Sequence, residues 1–303
     1  MSALFVTGAT GFVGRRVARA LARDGHEDVR LLTRHPERMP SIRAGWSVVS
    51  GDLARPAEWS ARLEGVDTVV HLAASTGKVR KGVHVDAIVG GTERLLDAAR
   101  TAGVSRFMFV SSVAAGFANR RYYPYADAKA AAEALVRESA FDWLIVRPTM
   151  VFGPDSPVLR GLRKLAMLPL PLIFGSGTEP VEPIFVDDLA AMLVAALGVR
   201  PWGGKTITLG GPERVTTEEL LGRLRAMGNA PGLRARFIHL PLPLFREALG
   251  TIEPLLFPLM PLTAGQLATF ANPSVGDRDA FVAQLPAPTI GIDEMLAASV
   301  HAD

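Results

Sequence analysis

The chain has 303 residues, of which 49% are hydrophobic and 21% are charged, and it contains no cysteine. This length and composition favour a folded globular protein, one large α/β unit with a smaller appended lobe, in a reducing, cytoplasmic setting. They exclude a disulfide framework, a thiolate metal site and a cysteine nucleophile. The net charge of +3 comes from scattered arginines, so a small-molecule substrate is expected and nucleic acid is not.

In chain order, the first half of the sequence alternates strands with helices. Short apolar runs bounded by turn residues predict six strands, "ALFVTGA", "DVRLLT", "WSVVSGD", "DTVVHLAA", "RFMFVSS" and "DWLIVRP". Apolar residues at helical spacing predict helices over "GFVGRRVARALARDG", "IVGGTERLLDAARTAG" and "ADAKAAAEALVRESA". Six such repeats predict an α/β fold with a Rossmann-type doubly wound parallel sheet.

The rhythm changes after about residue 150. "PIFVDDLAAMLVAALG" and "KTITLGG" predict a helix and a strand that return to the sheet, whereas the flanking regions hold short helices between proline-rich loops. We therefore predict a dinucleotide-binding domain over 1–150, rejoined by 181–211, and a smaller, mostly helical C-terminal substrate cap over 151–180 and 212–303. Prolines and acids interrupt the most apolar stretch, 240–265, so no transmembrane segment is expected.

A glycine-rich loop, "TGATGFVG", lies between the first strand and the first helix. Its glycines permit a tight turn and let backbone N–H groups approach a pyrophosphate at the positive end of the helix. An ordinary strand-to-helix turn is the alternative, but the position in the first strand–helix unit favours a dinucleotide. The cofactor-binding candidates in this loop are Gly8, Thr10, Gly11, Phe12, Val13, Gly14 and Arg15.

Arg34 is the residue that distinguishes between the two nicotinamide cofactors. An acidic residue about 20 positions after the last glycine would bind the ribose hydroxyl of NAD, but "LLTRHPER" places Arg34 there. A guanidinium pairs with phosphate oxygens and stacks on adenine. The sequence therefore favours NADP(H) over NAD(H). Arg15 either adds a second phosphate contact or is a solvated charge at the start of a helix.

Eight segments, in this order, resemble the landmarks of the extended short-chain dehydrogenase/reductase family: "TGATGFVG", "GDL", "HLAA", "GTERLLDAA", "FVSS", "YADAK", "RPTMVFGP" and "FVDDLA". This family contains nucleotide-sugar epimerases, dehydratases and many carbonyl reductases, and the resemblance covers about residues 1 to 190. It implies that Asp52, with Leu53, lies near adenine, that Ala73 lines the cofactor cleft, and that Arg147 and Pro148 end the sixth strand beside the nicotinamide.

The resemblance also implies that Ser112, Tyr125 and Lys129 match the family's catalytic trio, and that Lys129 contacts the cofactor. In the family the helix carrying this Tyr–Lys pair often contributes to a dimer face, so a homodimer is possible.

Lys129 follows Tyr125 by one helical turn, so both lie on one face. A phenol with a pKa near 10 needs a shift of about three units for acid–base work at neutral pH, which a neighbouring ammonium and an oxidised nicotinamide favour.

In this arrangement Ser112 would orient the substrate oxygen, and Tyr125 would protonate it during reduction or deprotonate it in reverse. The alternative is that the Tyr–Lys spacing arose by chance. Tyr122 and Tyr123 remain rivals for a substrate contact.

The sequence departs from the family pattern in several places. Ile88 stands where many relatives carry a structural asparagine, and the connection "VAAGFANRRYYP" after the serines is altered. A basic set on one predicted helix either binds a diphosphate or forms a solvated face; it comprises Arg160, Arg163 and Lys164. The apolar segments "PLPLF" and "TIEPLLFPLMPL", with Phe270, either line a site for an apolar substrate or pack the cap.

Three functions are compatible with these patterns. The first is an NADP(H)-dependent oxidoreductase acting on a small, largely apolar carbonyl or alcohol. The second is a nucleotide-sugar epimerase or dehydratase that retains its cofactor. The third is a non-catalytic NADPH-binding structural or redox-sensing protein, since "PLTAGQLATFANPSVGD" loosely resembles the atypical branch that contains the NADPH-binding accessory subunit of complex I. The six histidines are dispersed, so no metal is expected.

Overall fold

A computed structural model gives the structure of residues 3–39, 43–76, 79–118, 120, 122–228, 237–241, 243, 245, 247, 266–270 and 272–300. The apolar stretch "TIEPLLFPLMPL", a candidate substrate wall, lies outside the described residues. Within the described ranges, no helix is both long and apolar enough to cross a membrane.

Seven parallel strands form the central sheet: β1 (Leu4–Thr7), β2 (Val29–Thr33), β3 (Ser47–Ser50), β4 (Thr68–His71), β5 (Arg106–Val110), β6 (Asp142–Pro148) and β11 (Lys205–Leu209). Their order across the sheet is β11-β6-β5-β4-β1-β2-β3. The direction of winding reverses between β1 and β4, and a sheet of this kind binds its ligand at the carboxyl ends of the strands beside that reversal. The predicted Rossmann-type doubly wound fold is confirmed.

The helices that accompany these strands are α1 (Phe12–Arg23), α2 (Lys81–His84), α3 (Gly91–Thr101), α4 (Pro124–Arg137), α5 (Pro157–Ala166), α6 (Val186–Gly198), α7 (Thr217–Met227) and α8 (Ile292–Val300). A π turn, Val85–Gly90, joins α2 to α3. Short 3₁₀ turns occur at Pro36–Arg38, Pro56–Glu58, Ser60–Leu63, Val113–Gly116, Gln266–Phe270 and Val282–Gln284.

Helices cover both faces of the sheet because its strands are apolar on both sides. Leu4 and Val6 pack into the cluster that contains α1 and α6, whereas Phe5, between them, packs into the cluster that contains α3 and α4. Successive side chains of a strand point to opposite faces, so an unbroken apolar run indicates a strand buried on both sides.

In the described part of the chain, the region outside the central sheet contains three small two-stranded sheets as well as helices. They pair β7 (Val151–Phe152) with β10 (Ile184–Phe185), β8 (Leu172–Phe174) with β13 (Ile238–Leu240), and β9 (Pro180–Val181) with β12 (Val215–Thr216). A third apolar cluster joins α5, α7 and α8 to these strands. The sequence patterns predict a mostly helical cap and do not predict these strands, because strands of two or three residues are too short to produce a period-2 pattern. The proposed domain boundaries stay a prediction.

A buried carboxylate joins this region to the edge of the sheet. Glu182 is 1% exposed, and its side chain accepts hydrogen bonds from the guanidinium of Arg214 at 2.9 Å, that of Arg278 at 3.1 Å and the N–H of Gly276 at 2.8 Å. Its backbone carbonyl accepts from the hydroxyl of Thr149, which follows β6, at 2.6 Å. Side-chain contacts thus connect the segment after β6 with the C-terminal region.

Candidate functional site

The glycine-rich loop has no room for side chains at two of its three glycines. Gly8 has φ +77°, and a Cβ there would lie 2.6 Å from the backbone nitrogen of Ala73. A Cβ on Gly14 would overlap the carbonyl oxygen of Gly8. The N–H of Gly11 bonds to that same carbonyl at 3.0 Å, which closes the turn. Glycine is therefore required by conformation at Gly8 and by close packing at Gly14.

Helix α1 begins directly after this loop without a capping side chain. Gly11 is its N-cap, and its first turn holds no acidic residue. The first N–H groups of a helix have no intrahelical partner and carry a partial positive charge, so the N–H groups of Phe12 and Val13 suit a phosphate. Thr10 is partly exposed beside them. Backbone geometry here fits the pyrophosphate of a dinucleotide.

Arg15 turns toward the segment before α5. Its guanidinium lies 3.6 Å from the carboxylate of Asp155, and both side chains are well exposed. The structure thus pairs Arg15 with an acid, and a contact from Arg15 to a cofactor phosphate stays a prediction.

Arg34 and Asp52 lie side by side after the neighbouring strands β2 and β3. The Arg34 side chain is 68% exposed, and its Nη1 is 3.9 Å from the Asp52 carboxylate. The chain turns immediately after β2, because the Thr33 hydroxyl accepts the N–H of His35 at 3.0 Å. Leu53 packs against the α3 side of the sheet. The structure thus brings Arg34, Asp52 and Leu53 together at the carboxyl edge.

A buried histidine, whose role the sequence patterns did not predict, fixes the middle of this edge. The N–H of Ala73 donates to Thr7 Oγ1 at 3.3 Å, and Thr7 Oγ1 lies 2.6 Å from His71 Nδ1. His71 Nε2 lies 3.1 Å from Thr92 Oγ1, which donates to the carbonyl of Ile88 at 2.6 Å. Because Thr92 gives its proton to Ile88, it accepts from Nε2, and Thr7 donates to Nδ1.

This chain of hydrogen bonds requires a neutral imidazole, and burial lowers the pKa of His71 to about 3, with the nearby Lys129 charge adding to the effect. At Ile88, where the sequence departs from the family pattern, the backbone carbonyl accepts the bond from Thr92 and the side chain is buried in the π turn. The sequence signal was the position of Thr7 and His71 near the ends of two predicted strands, and the structure pairs them in register.

The candidate catalytic residues meet at the carboxyl end of β5. Ser112 follows this strand and accepts the N–H of Ala114 at 3.2 Å. It lies near the side chain of Tyr125, at the start of α4, where burial raises the pKa of the phenol and Ser112 acts to lower it. Lys129, one turn further along α4, is 2% exposed, and its Nζ donates to the carbonyl of Val110 at 2.8 Å. Pro148, at the end of β6, pairs in register with the last residue of β11.

Burial dominates the charges at this end of the site. It raises the pKa of Tyr125 to about 12, although the hydrogen bond with Ser112 opposes the rise. It lowers the pKa of Lys129 to about 7, although the charge of Glu133 opposes the fall. The pKa of Tyr125 thus lies above the ordinary value for a phenol, whereas the Tyr–Lys spacing predicted a pKa below it; burial is the cause.

Glu133, which the sequence patterns did not single out, is a buried anchor one helical turn after Lys129. Its carboxylate accepts bonds from Ser111 Oγ at 2.6 Å, from two nitrogens of Arg147 at 2.8 and 2.6 Å, and from Arg137 at 2.6 Å. Burial alone would raise the pKa of Glu133, but these donors outweigh it and lower the pKa. An acid four residues after Lys129 was the sequence signal.

The aromatic neighbours of Tyr125 differ from one another. The ring of Tyr123 lies 6.0 Å from the Tyr125 ring, and the ring of His84 lies 5.8 Å from it in an edge-on arrangement. Tyr122 has φ +64° and donates to the carboxylate of Glu247 at 2.8 Å. The Tyr122 hydroxyl is therefore bonded to Glu247, whereas Tyr123 and His84 flank the candidate acid.

The candidate substrate contacts of the C-terminal region have other surroundings. Helix α5 buries Leu159, Leu162 and Leu165 on one face, while Arg160 and Lys164 are exposed and Arg163 is partly exposed, as on the solvated face of an amphipathic helix. Phe270, with Phe245 of the "PLPLF" segment, packs into the third apolar cluster. Among the described residues, no group of three or more potential ligands is placed to hold a metal.

These features match a known class of protein. The sequence profile of a family described as NAD(P)H-binding matches residues 8–163. The chain therefore belongs to this NAD(P)H-binding family, and its resemblance to the extended short-chain dehydrogenases/reductases is confirmed by relatives and solved structures.

Several relatives carry names of reductases. The chain is 34% identical to the "Ceramide reductase" of Caulobacter vibrioides over 78% of its own length and 73% of that protein. It is 31% identical to the "(4-alkanoyl-5-oxo-2,5-dihydrofuran-3-yl)methyl phosphate reductase" of Streptomyces griseus, over 81% of this chain and 80% of that protein. It is also 31% identical to subunit 9 of the mitochondrial NADH dehydrogenase alpha subcomplex of Arabidopsis thaliana, over 79% of this chain and 60% of that protein.

Solved structures share the fold along the whole chain. The structure of gox2253 superposes with a TM-score of 0.77 at 25% identity, covering 100% of this chain and 98% of that one. The UDP-glucuronic acid 4-epimerase of Bacillus cereus, in complex with NAD, superposes with a TM-score of 0.70 at 20% identity, covering 99% and 97%.

Proposed function

We propose that the protein is an NADP(H)-dependent oxidoreductase that transfers hydride between the nicotinamide and a small, largely apolar carbonyl compound or alcohol. The observation that carries the proposal is the convergence of Ser112 and Tyr125, with Lys129 one turn away, at the carboxyl edge of a sheet whose first loop fits a pyrophosphate. The reductase names of several relatives support the same reaction class.

When bound, a reduced nicotinamide supplies a hydride to the carbonyl carbon. Ser112 donates a hydrogen bond to the carbonyl oxygen, and Tyr125 gives its phenolic proton to that oxygen as negative charge develops there. A phenol with a pKa of about 12 keeps its proton at neutral pH, yet it is a stronger acid than the alcohol formed. Solvent then returns one proton to the phenolate, with Lys129 stabilising the anion while it lasts.

The two directions of the reaction need different protonation states of Tyr125. Oxidation of an alcohol would need Tyr125 as a phenolate, which burial disfavours. Reduction needs the protonated phenol, which is the stable form at neutral pH.

An NADP(H) preference is supported by Arg34. Its guanidinium is the exposed cation at the end of β2, where dinucleotide-binding proteins read the ribose 2′ position. An arginine there suits a 2′-phosphate through paired hydrogen bonds.

An apolar substrate is supported by the surroundings of Tyr125 and by the names of relatives. Tyr123 packs with Phe117 and Ala268 in an apolar cluster next to the catalytic helix, and a Stenotrophomonas maltophilia relative, 26% identical, is named "2-alkyl-3-oxoalkanoate reductase". The exposed face of α5, by contrast, is not arranged as an enclosed diphosphate site.

Loss of the Tyr125 hydroxyl tests the proposal. With NADPH and a panel of alkyl ketones, Tyr125→Phe should lower kcat by about 10²- to 10⁴-fold, while the NADPH dissociation constant changes little. Tyr122→Phe is the matched control, because its hydroxyl bonds Glu247, and it should keep most activity. Full activity of Tyr125→Phe would remove this residue from the mechanism, and turnover without added cofactor would instead favour an epimerase.

A further inference from the structure

Two serines emerge from neighbouring strands at the carboxyl edge of the sheet. Strands β4 and β5 are paired in parallel, with His71 opposite Phe109. Ser75 lies four residues after His71, and Ser112 lies three residues after Phe109. The loops after adjacent parallel strands lie at the same edge, so Ser75 belongs to the same rim as the Ser112–Tyr125 pair.

Ser75 is hydrogen-bonded to a buried histidine that also contacts Tyr125. His84, the last residue of α2, is 3% exposed, and its Nδ1 lies 2.9 Å from Ser75 Oγ. The His84 ring meets the Tyr125 ring edge-on, with centroids 5.8 Å apart. One imidazole therefore connects a rim hydroxyl to the candidate proton donor.

The Ser75–His84 pair can bind a further polar atom. A hydroxyl has one donor and two acceptor sites, and a neutral imidazole has one donor and one acceptor. The bond between the hydroxyl and the imidazole leaves Ser75 able to donate to another group when His84 is the donor, and able to accept in either tautomer of His84. Burial lowers the pKa of His84, opposed by a hydrogen bond with the Ser75 backbone, so the pair acts as a neutral dipole.

We propose that Ser75 and His84 form a second hydrogen-bonding subsite, beside Ser112 and Tyr125, that binds a second oxygen of the substrate. The ring contact between His84 and Tyr125 places the two pairs within reach of one small molecule. The preferred substrates are then ketones that carry an ester, amide or hydroxyl group one carbon away from the reacting carbonyl. This inference rests on the proposed reductase function and narrows its substrate class.

Two ketones of equal chain length test the subsite. Ethyl 3-oxooctanoate carries the second oxygen, and undecan-6-one replaces its ester group with methylenes. The measured quantity is the ratio of their kcat/KM values in each variant, because the ratio cancels effects common to both substrates. Ser75→Ala and His84→Phe should each lower this ratio about five- to tenfold, as expected for one lost neutral hydrogen bond.

The loss should fall on KM more than on kcat, since the ester oxygen is held equally in the ground and transition states. Ser75→Thr and His84→Gln retain hydrogen-bonding groups and should restore much of the ratio. The exposed neighbour Thr76 supplies the control, because Thr76→Ala should leave the ratio unchanged.

Product binding provides a readout that does not depend on turnover. Calorimetry of ethyl 3-hydroxyoctanoate and undecan-6-ol with each variant saturated by NADP⁺ should give the same five- to tenfold change in the affinity ratio. An unchanged ratio in both assays overturns the subsite while leaving the reductase proposal intact. Absence of turnover of every ketone, with the affinity ratio still sensitive to Ser75, contradicts the reductase proposal and leaves the subsite intact.

Discussion

The two ends of the candidate cofactor cleft are built from different groups. At the phosphate end, the loop containing Gly8 and Gly14 presents backbone N–H groups and excludes side chains by close packing. At the catalytic end, Lys129 and Glu133 are charged residues that are almost completely buried. The first end depends on the absence of side chains, and the second depends on which buried charges compensate one another.

This difference separates binding from chemistry. Backbone dipoles are fixed and do not titrate, so the phosphate end should hold its ligand over a wide range of pH. Buried ionisable groups have shifted pKa values, and such groups are common where proton transfer takes place. Substitutions at the first end should therefore act through shape, and those at the second through charge and pH.

The largest effect is expected for Gly8→Ala. Alanine would have to adopt φ +77° and place its Cβ 2.6 Å from the nitrogen of Ala73, which together cost about 4 kcal/mol. NADPH should then no longer protect the protein. Urea unfolding with and without NADPH measures both effects. Gly103→Ala is the matched control, because Gly103 has φ +73° with nothing within 4 Å of an added Cβ. Equal effects of the two substitutions would contradict the close approach.

The phosphate end and the sheet could be predicted from the sequence because both rest on local, repeated patterns. Strand β1, the glycine loop and α1 are contiguous, and glycine spacing encodes the turn directly. The charge network around Glu133 could not, since its donors come from Ser111, Arg137 and Arg147 on three different elements. A single sequence identifies those residues but not their convergence.

The next largest effect is expected for Glu133→Gln. An amide cannot accept all the bonds that Ser111, Arg147 and Arg137 donate, and it leaves the half-buried Arg147 charge uncompensated. Breaking a buried pair in this way costs about 3 to 4 kcal/mol. Urea unfolding at pH 7 is the measurement. Glu138→Gln, at an exposed site beyond the end of α4, should change stability by less than about 0.5 kcal/mol.

The Glu133 effect should also depend on pH in a defined direction. The folded-state pKa lies below the ordinary value of 4.5, so the ionised carboxylate stabilises the fold above that value and less as pH falls through it. The difference between wild type and Glu133→Gln should therefore shrink in acid. A difference that grows below pH 4.5 would contradict the compensated charge.

For Lys129→Met, the stability difference from wild type should depend on pH in the opposite direction to that expected for Glu133→Gln. The pKa of Lys129 is lowered from 10.5 to about 7, so the unfolded chain binds more protons than the folded one between these values. Wild-type stability should then rise relative to the methionine variant by about 3 kcal/mol from pH 6 to pH 9. Lys164→Met, at an exposed position on α5, should show no such trend. A flat difference for Lys129→Met would mean that its ammonium is well solvated.

The region outside the central sheet, which we predict to be a cap, shows where local patterns cease to be informative. Its β-strands are two or three residues long, and its connection to the sheet depends on Glu182 meeting Arg214 and Arg278 from distant segments. Phe270 was a candidate wall for substrate, yet its ring packs inside the cap. Side chains that close a cap and side chains that line a site have the same composition, so only three-dimensional placement distinguishes them.

The smallest effect is expected at the outer rim of the phosphate end, where we propose that the side chain of Arg34 contributes to cofactor affinity. Arg34 is 68% exposed and only 3.9 Å from the Asp52 carboxylate, so solvent and that acid both weaken its field. Arg34→Ser should therefore raise the NADPH dissociation constant about tenfold while leaving that of NADH nearly unchanged.

Fluorescence titration with both cofactors at low and high salt measures this difference. The NADPH preference of the wild type should decrease as salt rises, because an exposed charge is screened, whereas the preference of Arg34→Ser should be small at both salt concentrations. Arg100→Ser, which removes an exposed arginine paired with Asp97 on α3, controls for net charge. Equal losses of NADPH and NADH affinity in Arg34→Ser would assign this residue to adenine stacking, and the phosphate end would then select its cofactor through the backbone alone.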